Sequence, residues 1–210
     1  MKVSASFLSI KENIKDSINI LDKTTIDYLH LDIMDGEFVQ KKTYSIDEIK
    51  DLLSDTKKAK DVHLMVKDLK KYIDDFSTLN PEYITFHFEA TYEQEEIIEY
   101  IKLKNIKVGI SIKPNTDIVS IIPFLPLIDL ILIMSVEPGM GGQSFIEEVT
   151  SKIDILKELR DDNEYYNYVI EVDGGINDET IKLISNADIA VVGSFITDSN
   201  DYQEQIDKLK

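Results

Sequence analysis

The chain has 210 residues, with 23 Lys and Arg against 40 Asp and Glu, a net charge of −17 and no cysteine. This length suits one domain with a sizeable core, expected over residues 1–210. The excess of acidic residues disfavours nucleic-acid and membrane partners, and the absence of cysteine excludes disulfides and thiolate chemistry. The sequence has no apolar run near the ~20 residues that a membrane span needs. The N-terminus lacks the apolar stretch of a secretory signal, and we expect a cytoplasmic location.

Eight β-rich runs alternate with eight helical patterns along the chain. Strands are predicted at 2–8, 27–33, 60–65, 83–87, 107–112, 130–135, 168–172 and 188–192. Helices are predicted near 11–22, 46–54, 68–77, 93–104, 117–122, 147–161, 178–185 and 200–209. This order indicates parallel strands with helical crossovers, so we predict an α/β fold, a single (β/α)₈ TIM barrel. An open doubly wound sheet is the alternative, weakened because no G-x-G-x-x-G motif follows the first strand.

Polar side chains stand near the C-terminal ends of predicted strands, where barrel enzymes place their active sites. His30 and Asp32 share one face of the second strand, because alternate residues of a strand point the same way. His63 lies near the end of the third strand, and Asp173 follows the seventh. This mixed set suits Zn²⁺, Fe²⁺, Co²⁺ or Mn²⁺, and we predict one such ion per chain. Taken singly, each residue is also compatible with a core or helix-capping role, and His87 is expected to be structural or to lie behind the ligands.

Glycine-bearing loops follow the last three predicted strands. They are the segment 136–143 after the sixth strand, Gly174-Gly175 after the seventh and Gly193-Ser194 after the eighth. Backbone N–H groups in such loops bind phosphate without a basic side chain, so the acidity of the chain does not exclude a phosphorylated ligand. Plain tight turns are the structural alternative.

Six motifs carry a resemblance to a known family. They are HLDIMDG at 30–36, VHLMV at 62–66, FHFEA at 86–90, MSVEPGMGGQSF at 134–145, EVDGGI at 171–176 and VVGS at 191–194. In this order and spacing the chain resembles the ribulose-phosphate 3-epimerases over essentially its whole length.

The resemblance implies metal-dependent epimerisation of D-ribulose 5-phosphate to D-xylulose 5-phosphate at C3, through an enediolate. Asp32 and Asp173 match its paired acid/base carboxylates, and His30, Asp32, His63 and Asp173 match its metal ligands. Residues that match substrate contacts are Ser6, His63, Gly139, Met140, Gly141, Gly142, Asp173, Gly174, Gly175, Gly193 and Ser194. Met34, Met65 and Met134 match methionines beside the reacting carbons, with core packing as the alternative. A homo-oligomer, dimer or hexamer, is also implied. The expected reaction needs no redox cofactor, and the sequence contains no nucleotide-binding motif.

The chain departs from the family pattern at Ala5, Ile10-Lys11, Glu37 and Gln40. These departures spare every proposed ligand and concern the pocket rim, the subunit contacts and the sugar specificity. Three alternatives stay open: an epimerase for a related ketose phosphate such as allulose 6-phosphate, a phosphate-binding decarboxylase or lyase barrel, and a non-catalytic phosphosugar-binding barrel. No Lys is predicted at the centre of an inward strand face, which argues against the second. Retention of both Asp and both His ligands argues against the third.

Overall fold

The computed structural model describes residues 1–210, and its eight strands close into one parallel barrel in chain order. β1 pairs with β2 and, at the closure, with β8. The strands are β1 Lys2–Ser6, β2 Tyr28–Met34, β3 Ala59–Met65, β4 Tyr83–His87, β5 Lys107–Ile112, β6 Leu130–Met134, β7 Val169–Asp173 and β8 Ile189–Val192. The predicted (β/α)₈ fold class is confirmed, and no strand end differs from its prediction by more than two residues.

The connections contain seven α-helices, not eight. They are α1 Ile14–Leu21, α2 Ile46–Leu52, α3 Leu69–Ser77, α4 Gln94–Lys102, α5 Thr150–Asp161, α6 Ser194–Thr197 and α7 Tyr202–Asp207. None of them combines the length and the apolar character needed to cross a bilayer. The helices predicted near 117–122 and 178–185 are wrong, because 3₁₀ segments at Ile118–Ser120, Ile122–Leu127 and Thr180–Ile184 take their places. Further 3₁₀ turns lie at Phe88–Ala90 and Glu147–Val149.

Proline explains the 3₁₀ geometry after β5. Pro123 and Pro126 both lie within Ile122–Leu127, and each lacks the N–H that an α-helical turn would use. The four-residue helix α6 was not predicted, and it begins at Ser194, which was interpreted only as part of a loop.

Apolar residues fill the layer between the barrel and its helices. The largest cluster contains 46 buried residues and includes Leu29, Leu31 and Ile33 from the outward face of β2. A second cluster of seven buried residues includes Tyr28 and Tyr83 at the N-terminal end of the barrel interior, and it continues along β6 to Met134 and Val136. Other strands contribute buried polar side chains to the barrel interior: Ser4, Ser6, His30, Asp32, Asp61, His63, Thr85, His87, Ser111 and Glu171. The fold therefore concentrates its buried polar chemistry toward the C-terminal end of the barrel.

Candidate active site

A cavity of about 590 Å³ opens at the C-terminal ends of the strands, and no Lys or Arg lines it. Asp32 and Asp173 stand in its wall beside Met34, Met65 and Met134. The predicted substrate contacts that line it are Ser6, Gly139, Met140, Gly141, Gly142, Asp173, Gly174, Gly175, Gly193 and Ser194. His63 is fully buried and lies behind the wall rather than in it. The closed barrel therefore gathers residues from both ends of the chain around one concave site.

Four side chains converge at the inner wall of the cavity. His30, Asp32, His63 and Asp173 each offer one ligand atom, and these atoms all lie within 4.8 Å of one another. Asp32 Oδ1 is 3.5 Å from His30 Nε2 and 3.4 Å from His63 Nδ1. Asp173 Oδ2 is 3.9 Å from His63 Nδ1. On the other oxygen of Asp32, Ser6 Oγ donates a hydrogen bond of 2.7 Å to Oδ2.

Each histidine in this group has one ring nitrogen bonded and one without a partner. His30 Nδ1 is 2.7 Å from Asp61 Oδ2, and its Nε2 has no hydrogen-bond partner. His63 Nε2 is 2.9 Å from His87 Nε2, and its Nδ1 has no partner. Buried polar atoms without partners are costly and rare. Two free imidazole nitrogens facing two carboxylates form a donor set that fits a divalent transition ion.

The pKa values of the two carboxyl groups at the cavity are shifted in opposite directions. Burial opposes ionisation of Asp32, but His30 and His63 lower its pKa well below the usual range. Burial and the nearby Asp32 carboxylate raise the pKa of Asp173 to about 6. The Asp173 side chain is also the more exposed, at 18% against 6% for Asp32. Asp32 is thus the more readily ionised of the two, whereas Asp173 ionises only near pH 6.

A second carboxylate pair, which was not predicted from the sequence, lies deeper in the barrel. Asp61 and Glu171 are fully buried within 4.8 Å of each other and of His30. Burial and Asp61 raise the pKa of Glu171 well above its usual range. Asp61 Oδ1 and both Glu171 oxygens lack a hydrogen-bond partner, so ionising both buried carboxyl groups at once is unfavourable. Strand alternation was the available signal, because Asp61 and Glu171 lie two residues before His63 and Asp173.

Close contact between loops shapes the far side of the cavity. Gly175 has a φ of +66°, and a Cβ there would lie 2.5 Å from the backbone N of Phe145. Ser135 Oγ donates to the carbonyl oxygens of Asp173 and Gly174, at 2.9 and 2.7 Å. The loops after β6 and β7 therefore pack backbone to backbone, and this contact requires glycine.

The loop after β2 contributes no residue to the cavity lining, although its Val39 lies beside Gly139, which does line the cavity. Asp35 accepts hydrogen bonds from the backbone N–H groups of Glu37, Phe38 and Lys67, which ties this loop to the end of β3. Glu37 and Gln40, where the chain departs from the family pattern, are exposed and do not line the cavity. These two altered positions therefore lie on the outer side of the loop.

One known protein family matches this chain over all eight strands of the barrel. The model of the ribulose-phosphate 3 epimerase family matches residues 2–197. The chain belongs to the ribulose-phosphate 3-epimerase family. The resemblance inferred from the motifs is therefore confirmed.

Relatives within the ribulose-phosphate 3-epimerase family cover most of the chain. The ribulose-phosphate 3-epimerase of Treponema pallidum (strain Nichols) is 39% identical over 80% of this chain and 77% of its own length. That of Bacillus subtilis (strain 168) is 33% identical over 99% of this chain and 95% of its own length. Among solved structures, 3-hexulose-6-phosphate synthase from Salmonella typhimurium has a TM-score of 0.66 at 17% identity, covering 100% of this chain and 96% of that one. At that identity the likeness concerns the barrel fold alone.

Proposed function

We propose that the protein interconverts D-ribulose 5-phosphate and D-xylulose 5-phosphate by inverting the configuration at C3. Membership of the family and the names of its relatives support the reaction class. The observation that carries the proposal is the meeting of Asp32 and Asp173 in the wall of one cavity. They come from β2 and β7, on nearly opposite sides of the barrel, as a reaction at two faces of one carbon requires.

Epimerisation at C3 begins with removal of the proton beside the C2 carbonyl. One carboxylate accepts that proton on one face of the sugar, and the other carboxyl group returns a proton on the opposite face. The two groups must therefore differ in protonation state at any moment, and they titrate as a coupled pair. The low pKa of Asp32 and the pKa of about 6 for Asp173 support this division.

A divalent transition ion, Zn²⁺, Fe²⁺, Co²⁺ or Mn²⁺, completes the proposal. The ion would be held by His30 Nε2, His63 Nδ1, Asp32 and Asp173. The absence of a hydrogen-bond partner at both ring nitrogens supports this assignment. When bound, such an ion supplies a Lewis acid that stabilises the negative charge of the enediolate. Elemental analysis of gently purified protein should find about one such ion per chain, and strong chelation should remove activity.

The phosphate group of the substrate is assigned to the glycine-bearing loops after β6, β7 and β8. Gly141, Gly142, Gly175 and Gly193 line the cavity there, together with Ser194. Backbone N–H groups are the donors proposed to hold the phosphate, since the cavity has no basic side chain. The rest of the sugar then extends toward Asp32 and Asp173.

A direct assay of the purified chain tests the proposed reaction. Conversion of D-ribulose 5-phosphate is measured by coupling D-xylulose 5-phosphate to a detecting enzyme, beside a parallel assay with allulose 6-phosphate. The proposal expects a higher kcat/KM for the pentose phosphate. Faster turnover of allulose 6-phosphate would reassign the substrate, and binding without turnover of either sugar would indicate a non-catalytic phosphosugar-binding barrel.

A further inference from the structure

All three histidines of the chain are buried in one cluster behind the cavity. His87 does not belong to the group of four proposed ligands, yet its ring centroid lies 4.9 Å from that of His63. His63 Nε2 and His87 Nε2 are 2.9 Å apart, and His87 Nδ1 is 3.3 Å from Glu89 Oε2. The three residues thus form a continuous hydrogen-bonded relay, defined here as His63–His87–Glu89.

The chemistry of its end group gives this relay a direction. An ionised carboxylate only accepts hydrogen bonds, so His87 must carry its proton on Nδ1 in order to donate to Glu89. His87 Nε2 then has a free lone pair and accepts a proton from His63 Nε2. With its proton on Nε2, neutral His63 has a lone pair on Nδ1, the nitrogen that faces Asp32 and Asp173.

Glu89 is itself held from the opposite side. The backbone N–H of Lys113 donates to Glu89 Oε1 at 2.9 Å, and Thr116 Oγ1 donates to the same oxygen. Lys152 Nζ fixes the segment that supplies these donors, with hydrogen bonds of 2.6 Å to the carbonyl oxygens of Pro114 and Thr116. The other oxygen, Oε2, is therefore directed at His87.

We propose that Glu89 is a positioning residue that acts through His87 to hold the Nδ1 lone pair of His63 toward the cavity. His30 is oriented by a shorter route, because Asp61 bonds its Nδ1 directly and Nε2 is the nitrogen that faces the cavity. The two histidines thus present different ring nitrogens to the same point, each fixed by its own carboxylate. The inference rests on the proposed metal-binding role of His63, although the tautomer it assigns is measurable without that role.

Glu89→Gln should reverse the relay while keeping the size of the side chain. The N–H of Lys113 can only donate, so it selects the amide oxygen of the new side chain. The amide NH₂ then faces His87 and donates to its Nδ1, which moves the His87 proton to Nε2. His87 then donates to His63 Nε2, and the His63 proton moves to Nδ1, where it blocks a metal ligand.

Histidine tautomers are read from long-range ¹H–¹⁵N NMR spectra of the full-length chain after chelation and after reloading with Zn²⁺. Only three imidazoles contribute, so the spectrum contains six ring nitrogens. The wild type is expected to show protonated Nε2 on His63 and protonated Nδ1 on His87. A proton on His63 Nδ1 in the wild type would overturn the proposal, whether or not any variant folds.

Zn²⁺ affinity, measured by competition with a chromophoric chelator, gives the second readout. Glu89→Gln should weaken binding about 10–100-fold, as expected for loss of an outer hydrogen-bonding partner of a metal ligand. Glu82→Gln is the matched control, because Glu82 pairs with Lys107 at the other end of β4, and its affinity should equal that of the wild type. Unchanged tautomers and affinity in Glu89→Gln would contradict the inference. A wild type that binds Zn²⁺ with the assigned tautomers but turns over no sugar would contradict the proposed function alone.

Discussion

At the residue scale, Asp173 is the side chain on which protons and metal compete most directly. Its pKa of about 6 arises from burial and from the neighbouring Asp32 carboxylate. Below that pH Asp173 holds a proton, and a protonated carboxyl group is a poor ligand. Burial alone would lower the pKa of His30, but Asp61 and Asp32 raise it well above its usual range, so His30 must also release a proton.

Zn²⁺ affinity should therefore fall as the pH drops, by at least about tenfold between pH 6 and pH 5. Competition titrations at pH 7, 6 and 5, corrected for the protonation of the competing chelator, measure this slope. Asp173→Asn should bind Zn²⁺ more weakly and with a shallower slope, because the titrating carboxylate is gone. An affinity that is independent of pH between 7 and 5 would mean that neither residue is a ligand.

The sequence predicted which side chains belong to the site only where strand alternation or a motif indicated them. Alternation places His30 and Asp32 on one face of β2, and they do lie together inside the barrel. It does not give the register between strands, which sets His30 opposite Asp61. The bond from His30 to Asp61 and the contact between His63 and His87 both depend on that three-dimensional register, so neither could be inferred from the sequence.

At the scale of secondary-structure elements, the strands were easier to predict than the connections. Apolar runs in β4 and β5 end at charged or turn-forming residues, and both strands match their predicted bounds. The connection after β5 contains an apolar stretch typical of a helix, but its two prolines favour 3₁₀ geometry. Local hydrophobic patterns locate a crossover but do not decide the kind of helix within it.

The glycine-bearing loops provide a prediction at this same scale. Gly193 lines the cavity, and a Cβ there would meet its nearest neighbour, on Ser6, at 3.8 Å. Gly193→Asp should raise KM for D-ribulose 5-phosphate about tenfold or more relative to Gly193→Asn, because only Asp adds a negative charge beside the phosphate. Any backbone strain at this position is common to both variants and cancels in the comparison.

Steady-state kinetics of the two Gly193 variants measure this difference. It should shrink as salt is added, since screening weakens repulsion between partly exposed charges. Equal KM values for the Asp and Asn variants would place the phosphate elsewhere in the cavity.

At the scale of the whole molecule, closure of the barrel creates the site. β2 and β7 are distant in the chain and do not pair, yet the closed order β1 to β8 brings Asp32 and Asp173 into one cavity wall. The net charge of −17 would repel a phosphorylated sugar at long range. Local backbone dipoles in the loops are therefore needed to bind it. The alternation of strands and helices predicted the closure, but not the cavity volume or the electrostatics of its wall.

The central claim is that two carboxylates act on opposite faces of C3, and solvent-isotope labelling tests it most directly. In D₂O the wild type should place deuterium at C3 of the epimerised product. Metal-replete Asp32→Asn and Asp173→Asn should each lose at least ~10²-fold in epimerisation rate. Each should still exchange the C3 proton of one epimer, and the two variants should label opposite epimers. Metal content is measured alongside, because loss of the ion would mimic loss of the base. A metal-replete variant at either position that inverts C3 at nearly the wild-type rate would contradict the account.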